Sequence, residues 1–192
     1  MKKLKAAYGA LLSLSFAQPV LAEPPHAEAI RIFVDHQVRE WLTEPRLVRA
    51  VMEQNRKMGT MSEADIIALD MKWRAETNLA KKPMIEEILS RDVSKYLRDK
   101  QEESGGIITE VFVMDKQGMN VGQSQATSDF WQGDEAKWQN TYLKGAGAMF
   151  IDDIRVDDST GSFQSQVSMS VVDPNTGEVI GAITLGINFD SL

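Results

Sequence analysis

The spacing of apolar residues changes at Ser104-Gly105-Gly106, and this change constrains what the chain can fold into. Before the glycine pair, apolar residues recur every three or four positions, as on one face of an α-helix. After it, they alternate with polar residues, as on a half-buried strand. The sequence therefore predicts an α+β fold, with a helical region over residues 23–106 and a sheet region over residues 107–192. About 170 residues suffice for one core, so we expect one domain.

The helical region contains three stretches with helix signals. The first covers residues 27–55 and includes Pro45, which either kinks one long helix or separates two. Ser62 followed by Asp65 is typical of a helix start, so a second helix is predicted there. Pro83 suits the first turn of a third helix, which the glycine pair ends.

The sheet region predicts five antiparallel strands, arranged as a hairpin, a helical insertion and a three-stranded meander. The predicted strands cover residues 107–114, 119–124, 149–156, 165–172 and 179–189. Asp115 and Asp173 lie in the two clearest turn sequences and are interpreted as turn formers. One face of such a sheet is apolar, so the helical region must cover it.

The first 22 residues have the pattern of a secretory signal peptide. Three lysines precede an apolar run over residues 6–16, which is shorter than a bilayer span. Small residues before position 23 predict cleavage after Ala22, which leaves 170 of the 192 residues. A retained N-terminal anchor is the alternative. The sequence has no cysteine, so disulfides, thiolate metal sites and a cysteine nucleophile are excluded.

Charge and motifs narrow the function classes further. Cleavage would remove three of the 21 basic residues and none of the 28 acidic ones, changing the net charge from −7 to −10. An acidic exported protein is a poor candidate for binding nucleic acid or anionic membranes. No G-x-S-x-G, H-E-x-x-H or phosphate-loop motif occurs, so we expect no enzymatic activity and no cofactor.

Several segments resemble the extracytoplasmic PAS-like sensor domains called Cache or PDC domains, in their single-module form. They are "AIRIFVDHQVREWLTEPRLVRAVMEQN", the hairpin "VFVMDKQGMNVGQS", the connection "TSDFWQGDEAKWQNTY" and the final strand pair "SQVSMSVVDPNTGEVIGAITLGINF". The resemblance covers most of the chain after the signal peptide. It implies a PAS-like five-stranded antiparallel sheet with a long N-terminal helix and helical connections packed on it.

The resemblance also implies small-molecule sensing. Such domains usually adjoin membrane helices and feed an intracellular output. This sequence ends at Leu192 directly after the last strand, so we expect a separate membrane-bound partner, such as a receptor or histidine kinase. N-terminal helices pair in dimers of the resembled family. We therefore expect a weak homodimer through the stripe of Ile30, Phe33 and Val34. The alternative function is an accessory interaction protein of the cell envelope that binds no ligand.

Large rings concentrate in the connection between the second and third strands, which forms a pocket wall in the resembled family. Trp131, Trp138 and Tyr142 are candidate ligand-binding residues, together with Asp129. If residues 133–143 are helical, with Ser128 or Asp129 as the cap, Trp138 and Tyr142 share one face. Their rings could enclose an apolar or cationic ligand, with the indole N–H groups free to donate. Ordinary core packing is the alternative.

Gln166, Ser168 and Ser170 share one face of a predicted central strand. If the helices cover the face that carries Val167, this polar row points to the ligand pocket; otherwise it meets solvent.

Other polar residues have weaker signals. The acidic residues Asp152, Asp153, Asp157 and Asp158 could bind a cation, but their spacing is not that of an EF-hand loop, and a solvated loop is the alternative. His26, in a presumed loose tail, and His36 have no metal-ligand spacing and are interpreted as structural or exposed.

Overall fold

The computed structural model describes residues 26–156 and 163–192, which form an antiparallel sheet with helices packed against it. The predicted signal peptide and its cleavage site, as well as Asp157 and Asp158, lie outside the described residues. Within the described ranges, no helix combines the length and apolar character needed to cross a membrane.

The elements follow the predicted order of helices first and strands second. The helices are α1 (Ala27–Phe33), α2 (Pro45–Met58), α3 (Glu63–Thr77), α4 (Pro83–Ser90), α5 (Asp92–Glu103) and α6 (Ala136–Gln139). The strands are β1 (Ile108–Met114), β2 (Asn120–Gln123), β3 (Met149–Ile151), β4 (Arg155–Val156), β5 (Phe163–Val172) and β6 (Val179–Asn188). The sheet order is β2-β1-β6-β5-β3, with β4 paired to β5. The α+β fold is therefore confirmed.

Pro45 separates two helices rather than kinking one. From α1 the chain continues through a π turn (Val34–Val38) and a 3-10 turn (Arg39–Thr43). Glu44 then leaves helical geometry, at φ −58° and ψ 123°, and Pro45 is the first residue of α2. Since the residue before a proline is disfavoured in the α region, the break at Glu44 follows from the sequence.

The third predicted helix is divided into α4 and α5. Pro83 begins α4 as predicted, but Arg91 adopts an extended conformation with ψ 149°. The Arg91 guanidinium donates to the Val121 carbonyl oxygen (2.7 Å) on the edge strand β2. The helical period continues across this break, which is why spacing alone predicts a single helix. The predicted start at Ser62 is confirmed, because its hydroxyl accepts the Asp65 N–H (3.2 Å).

The sheet has the predicted hairpin and final strand pair, but its third strand is interrupted. Residues 149–156 form β3 and β4 with a gap at residues 152–154, and both short strands pair with β5. The five predicted strands are thus observed as six.

One sheet face packs against α1, α2 and α5 and holds the main core; we call it the helical face. Its strand residues are Val111, Val113, Val167, Met169, Val171, Ile183, Leu185 and Ile187. Ile30 of α1 and Val34 of the π turn that follows are fully buried in the same core. The expectation that these two residues form a spare apolar stripe is therefore wrong, because the chain's own sheet covers them. A homodimer itself stays a prediction and would need other residues.

Candidate ligand-binding site

The connection between β2 and β3, residues 124–148, crosses the sheet face opposite α1, α2 and α5. We call this segment the lid and the surface beneath it the lid face. Strand pairing aligns one row of side chains across that face, consisting of Gln123, Phe112, Thr184, Ser168 and Phe150. The row mixes polar and aromatic side chains, in contrast to the apolar helical face.

The apolar part of the lid face lies under Trp138 and Tyr142. Their rings stack with centroids 4.9 Å apart, and the pair packs against Phe112, Met114 and Ala182. The predicted stacking face is therefore present. The predicted helix over residues 133–143 is wrong in extent, because only α6 is α-helical and residues 142–144 form a 3-10 turn.

The indole N–H groups are not free, contrary to the expectation from sequence. Trp138 Nε1 donates to the Asp115 carbonyl oxygen (3.2 Å), and Trp131 Nε1 donates to the Gln117 carbonyl oxygen (2.7 Å). Trp131 is half-buried in a separate cluster with residues of α3 and α4. The two tryptophans thus hold the lid to the β1–β2 turn, and only Trp138 lies over the lid face.

The first half of the lid is attached to α3. The buried carboxylate of Asp70 accepts the N–H groups of Phe130 (2.8 Å) and Trp131 (3.0 Å). Asp129 forms an ion pair with Arg74 (3.0 Å). The prediction that Ser128 or Asp129 caps the lid helix is wrong, because α6 begins after Glu135. A ligand-binding role for Asp129 remains a prediction, but its carboxylate already has a cationic partner.

The polar row predicted from β5 lies on the lid face, as expected if the helices cover the Val167 face. The hydroxyls of Ser168 and Thr184 are 2.9 Å apart, and both residues are fully buried. Gln166 donates to the carboxylate of Glu110 (2.9 Å), and this pair is only half-buried. Ser170 donates to the Gly145 carbonyl oxygen of the lid (2.7 Å).

Two buried polar atoms on the edge strand β2, which pairs with β1, lack partners. Asn120 Oδ1 and Gln123 Nε2 are inaccessible to solvent and form no hydrogen bond within the described residues. Such atoms are rare in folded proteins, and each costs about 1–3 kcal/mol when left unpaired. Lys137 of α6 lies above the same area, with its ammonium 5.4 Å from the centroid of the Phe112 ring. Its side chain is only 14% exposed.

Sequence reasoning missed Thr184, Gln123, Asn120, Glu110 and Lys137 as site residues. For Thr184 a signal exists, since Ala182, Thr184 and Gly186 alternate with the apolar residues of β6. Glu110 could not be placed by the alternation of side chains along β1. The register of β1 shifts between Ile108 and Glu110, so these two residues do not share a face as their spacing suggests. The positions of Asn120 and Gln123 depend on the edge-strand register, which a single sequence does not show.

The turn that holds the lid contains a buried acid, Asp115. Its side chain accepts the N–H groups of Gln117 (2.9 Å) and Met119 (3.0 Å) and the amide of Gln54 on α2 (3.0 Å). The turn-forming role predicted for Asp115 is therefore confirmed. Burial raises the pKa of this carboxyl above its ordinary value, against the opposing effect of the Gln54 hydrogen bond.

Within the described residues, the histidines and the acidic residues considered as possible metal ligands are in structural contacts or are exposed. His26 is buried, not part of a loose tail: its Nε2 lies 3.0 Å from the Asp152 carbonyl oxygen, and its ring contacts Phe189 edge-on. His36 is exposed. Asp152 pairs with Arg155 at 3.4 Å, and no group of three or more His, Asp or Glu side chains suited to a metal occurs in the ranges 26–156 and 163–192.

Replacing the two tryptophans separates their roles. Trp138→Ala should lower the free energy of unfolding by about 3–5 kcal/mol, as truncation of a buried aromatic does. Trp131→Ala should cost less, because Trp131 is only partly buried. Trp138→Phe retains the stack on Tyr142 and should lose about 1 kcal/mol for the missing hydrogen bond. Urea denaturation measures all three; a larger loss for Trp131→Ala than for Trp138→Ala would contradict the placement.

The buried Asp115 predicts a specific pH dependence. Because the folded chain holds the proton more tightly than the unfolded chain, the contribution of Asp115 to stability is greatest below its unfolded pKa of about 4. It falls as pH rises through the raised folded pKa. The stability of wild type relative to Asp115→Asn should therefore decrease as pH rises from about 4 through the raised folded pKa. Denaturation of both proteins across this range measures the difference; an increase would show that hydrogen bonding outweighs burial.

Comparison with known proteins shows which solved structures share this fold. No family model and no curated protein sequence matches the chain. Among solved structures, the sensor domain of the Vibrio cholerae histidine kinase DctB has 15% sequence identity and a TM-score of 0.50, covering 86% of this chain and 52% of that one. This chain thus spans about half the length of that domain.

Two further structures are similar at lower TM-scores. The ligand-binding domain of the Pseudomonas aeruginosa PAO1 amino acid chemoreceptor PctC, in complex with GABA, has 13% identity and a TM-score of 0.42, with coverage of 79% and 61%. The Escherichia coli DcuS sensor domain has 16% identity and a TM-score of 0.37, with coverage of 67% and 94%. At such identities the likeness to DctB shows the fold, so the chain has the fold of the Cache (PDC) sensor domains.

Proposed function

We propose that this protein is a periplasmic small-molecule-binding module that reports ligand occupancy to a membrane-bound signalling partner. The observation that carries the proposal is the buried polar surface of the lid face. Ser168 and Thr184 lie fully buried beneath the lid, and the Gln123 amide nitrogen, beyond Phe112 in the same row, lacks a partner in the described part of the chain.

A purely structural role explains this surface poorly. Apolar residues at these strand positions would stabilise the sheet by burial, as they do on the helical face, whereas polar groups must be paired to offset their desolvation. Ser168 and Thr184 pair with each other, but Gln123 Nε2 and Asn120 Oδ1 do not. A bound molecule with one acceptor and one donor would satisfy both atoms.

We propose that a ligand enters at the half-buried end of the lid face. Glu110 and Gln166 are partly exposed there, and both pair with Gly186, which the side chains of Thr109 and Glu110 cover. The proposed site runs from this end past Ser168 and Thr184 toward Gln123, and the Trp138–Tyr142 stack, which packs on Phe112, forms its wall. Trp131 and Asp129 act as supports of the lid, since both are already held by other groups.

The predicted signal peptide and the fold support the proposed location and the proposed kind of partner. The predicted signal peptide would deliver the chain to the periplasm or the medium after cleavage at Ala22. The V. cholerae structure is the sensor domain of a histidine kinase, which supports a partner of that kind. No catalytic role is proposed for any residue of the lid face. A weak homodimer through the N-terminal helices remains part of the proposal.

One observation favours the alternative, an accessory interaction protein of the cell envelope that binds no ligand. The Trp138–Tyr142 stack closes directly onto Phe112, Met114 and Ala182, which leaves this half of the lid face filled by the chain itself. The two proposals differ in whether a small molecule stabilises the fold.

A thermal-shift screen tests the proposal with amino acids, organic acids, amines and nucleobases. A ligand at about 100 times its dissociation constant should stabilise the mature protein by about 2.7 kcal/mol. Thr184→Val removes one buried hydroxyl at nearly constant volume and should abolish the ligand-induced shift, while apo stability changes by about 1 kcal/mol.

Thr60→Val is the matched control, because Thr60 is exposed and lies between α2 and α3, outside the row of lid-face residues. It should respond to the ligand as wild type does. An equal shift in Thr184→Val and wild type would place the ligand elsewhere, and no shift with any of the four classes would favour the accessory protein.

A further inference from the structure

A concave surface lies on the helical side of the molecule, away from the lid. The cleft has a volume of about 530 Å³ and separates α2 from the junction of α4 and α5, with Val121 of β2 at its floor. This volume falls within the range of small-molecule sites in proteins, roughly 300–1,000 Å³.

Cationic side chains line both walls of the cleft. Arg46, Arg49 and Lys57 lie on the α2 wall, and Arg91 lies opposite. This is notable in a chain with a net charge of −7, where acidic residues outnumber basic ones. A guanidinium on each wall suits an oxyanion group, because arginine donates two parallel hydrogen bonds to carboxylate or phosphate.

The acidic residues of the cleft are already paired. Glu53 pairs with Lys57 (2.7 Å), Glu87 with Arg91 (2.9 Å) and Asp92 with Lys95 (3.0 Å). Arg46 pairs with Glu44 (3.1 Å), whereas Arg49 acts on Glu44 only through its charge and forms no ion pair or hydrogen bond with any described residue, so the Arg49 guanidinium is the more available to a ligand.

The floor of the cleft is held rigidly. Arg91 donates to Gln54 Oε1 (2.9 Å) and to the Val121 carbonyl oxygen (2.7 Å), as well as twice to Glu87. These bonds use four of the five guanidinium N–H groups and leave one among the described contacts. Because Gln54 is itself fixed by Asp115, the Arg91 donor is preorganised, which lowers the entropic cost of binding.

We propose that this cleft is a second binding site, which takes a small organic anion bearing carboxylate or phosphate groups. Arg49 makes the main charged contact, and Arg46 and the remaining Arg91 N–H complete it. The cleft is separated by the sheet from the ligand site proposed under the lid, so the two sites share no residue.

The test uses tricarballylate, a flexible tricarboxylate, as the probe for the mature protein. Thermal shift and calorimetry should detect binding above the effect of sodium chloride at equal ionic strength. Arg49→Gln removes the charge and should weaken binding about tenfold or more, as loss of a charge-assisted contact does. Arg56→Gln, a charge change on the exposed side of α2 that does not line the cleft, should bind as wild type.

The Thr184→Val protein distinguishes this site from the lid face. It should bind tricarballylate as wild type does, whatever the outcome at the lid. The proposal is overturned if wild type shows no binding beyond the salt control, if Arg49→Gln and Arg56→Gln bind equally, or if Thr184→Val loses the probe.

Discussion

The hydrogen bonds of the buried Asp115 turn connect the three parts of this fold. The carboxylate accepts from Gln54 on α2 and from two N–H groups of its own turn, while the Asp115 carbonyl oxygen accepts the Trp138 indole N–H of the lid. A buried carboxylate is costly unless it is hydrogen-bonded, so each partner is needed to retain it. Helical region, hairpin and lid are therefore interdependent, and a change in the lid can reach α2 through one turn.

Three hydrogen-bonded attachments of the lid, one of them to the Asp115 turn, explain why the lid face can hold polar groups and the helical face cannot. The lid is attached at α3 through Asp70, at the hairpin turn through Trp138, and at β5 through Ser170. These attachments fix its position without apolar packing along its whole length. The sheet beneath it is thus free to carry Ser168 and Thr184, which the helical face could not accommodate without loss of its core.

The α+β class, the hairpin and the helix starts at Ser62 and Pro83 could be predicted because each depends on local chemistry. The break at Arg91 could not, since it depends on a carbonyl of β2 that is distant in sequence. For the site, alternation in β5 correctly placed Ser168 and its neighbours on one face, but the availability of the indole N–H groups depended on turn carbonyls that no spacing reveals. Gln123 depended on the register of an edge strand, which sequence specifies weakly.

The central claim is that a small molecule binds between the lid and the polar surface of the sheet. Amide NMR spectra of the isotope-labelled mature protein, recorded with pooled metabolites and then with the active pool resolved into single compounds, test it most directly. We predict that the largest shift changes occur at Ser168, Thr184 and Gln123 and at the indole of Trp138. Spectra that remain unchanged with every pool, or that change only around Arg49 and Arg91, would contradict the claim.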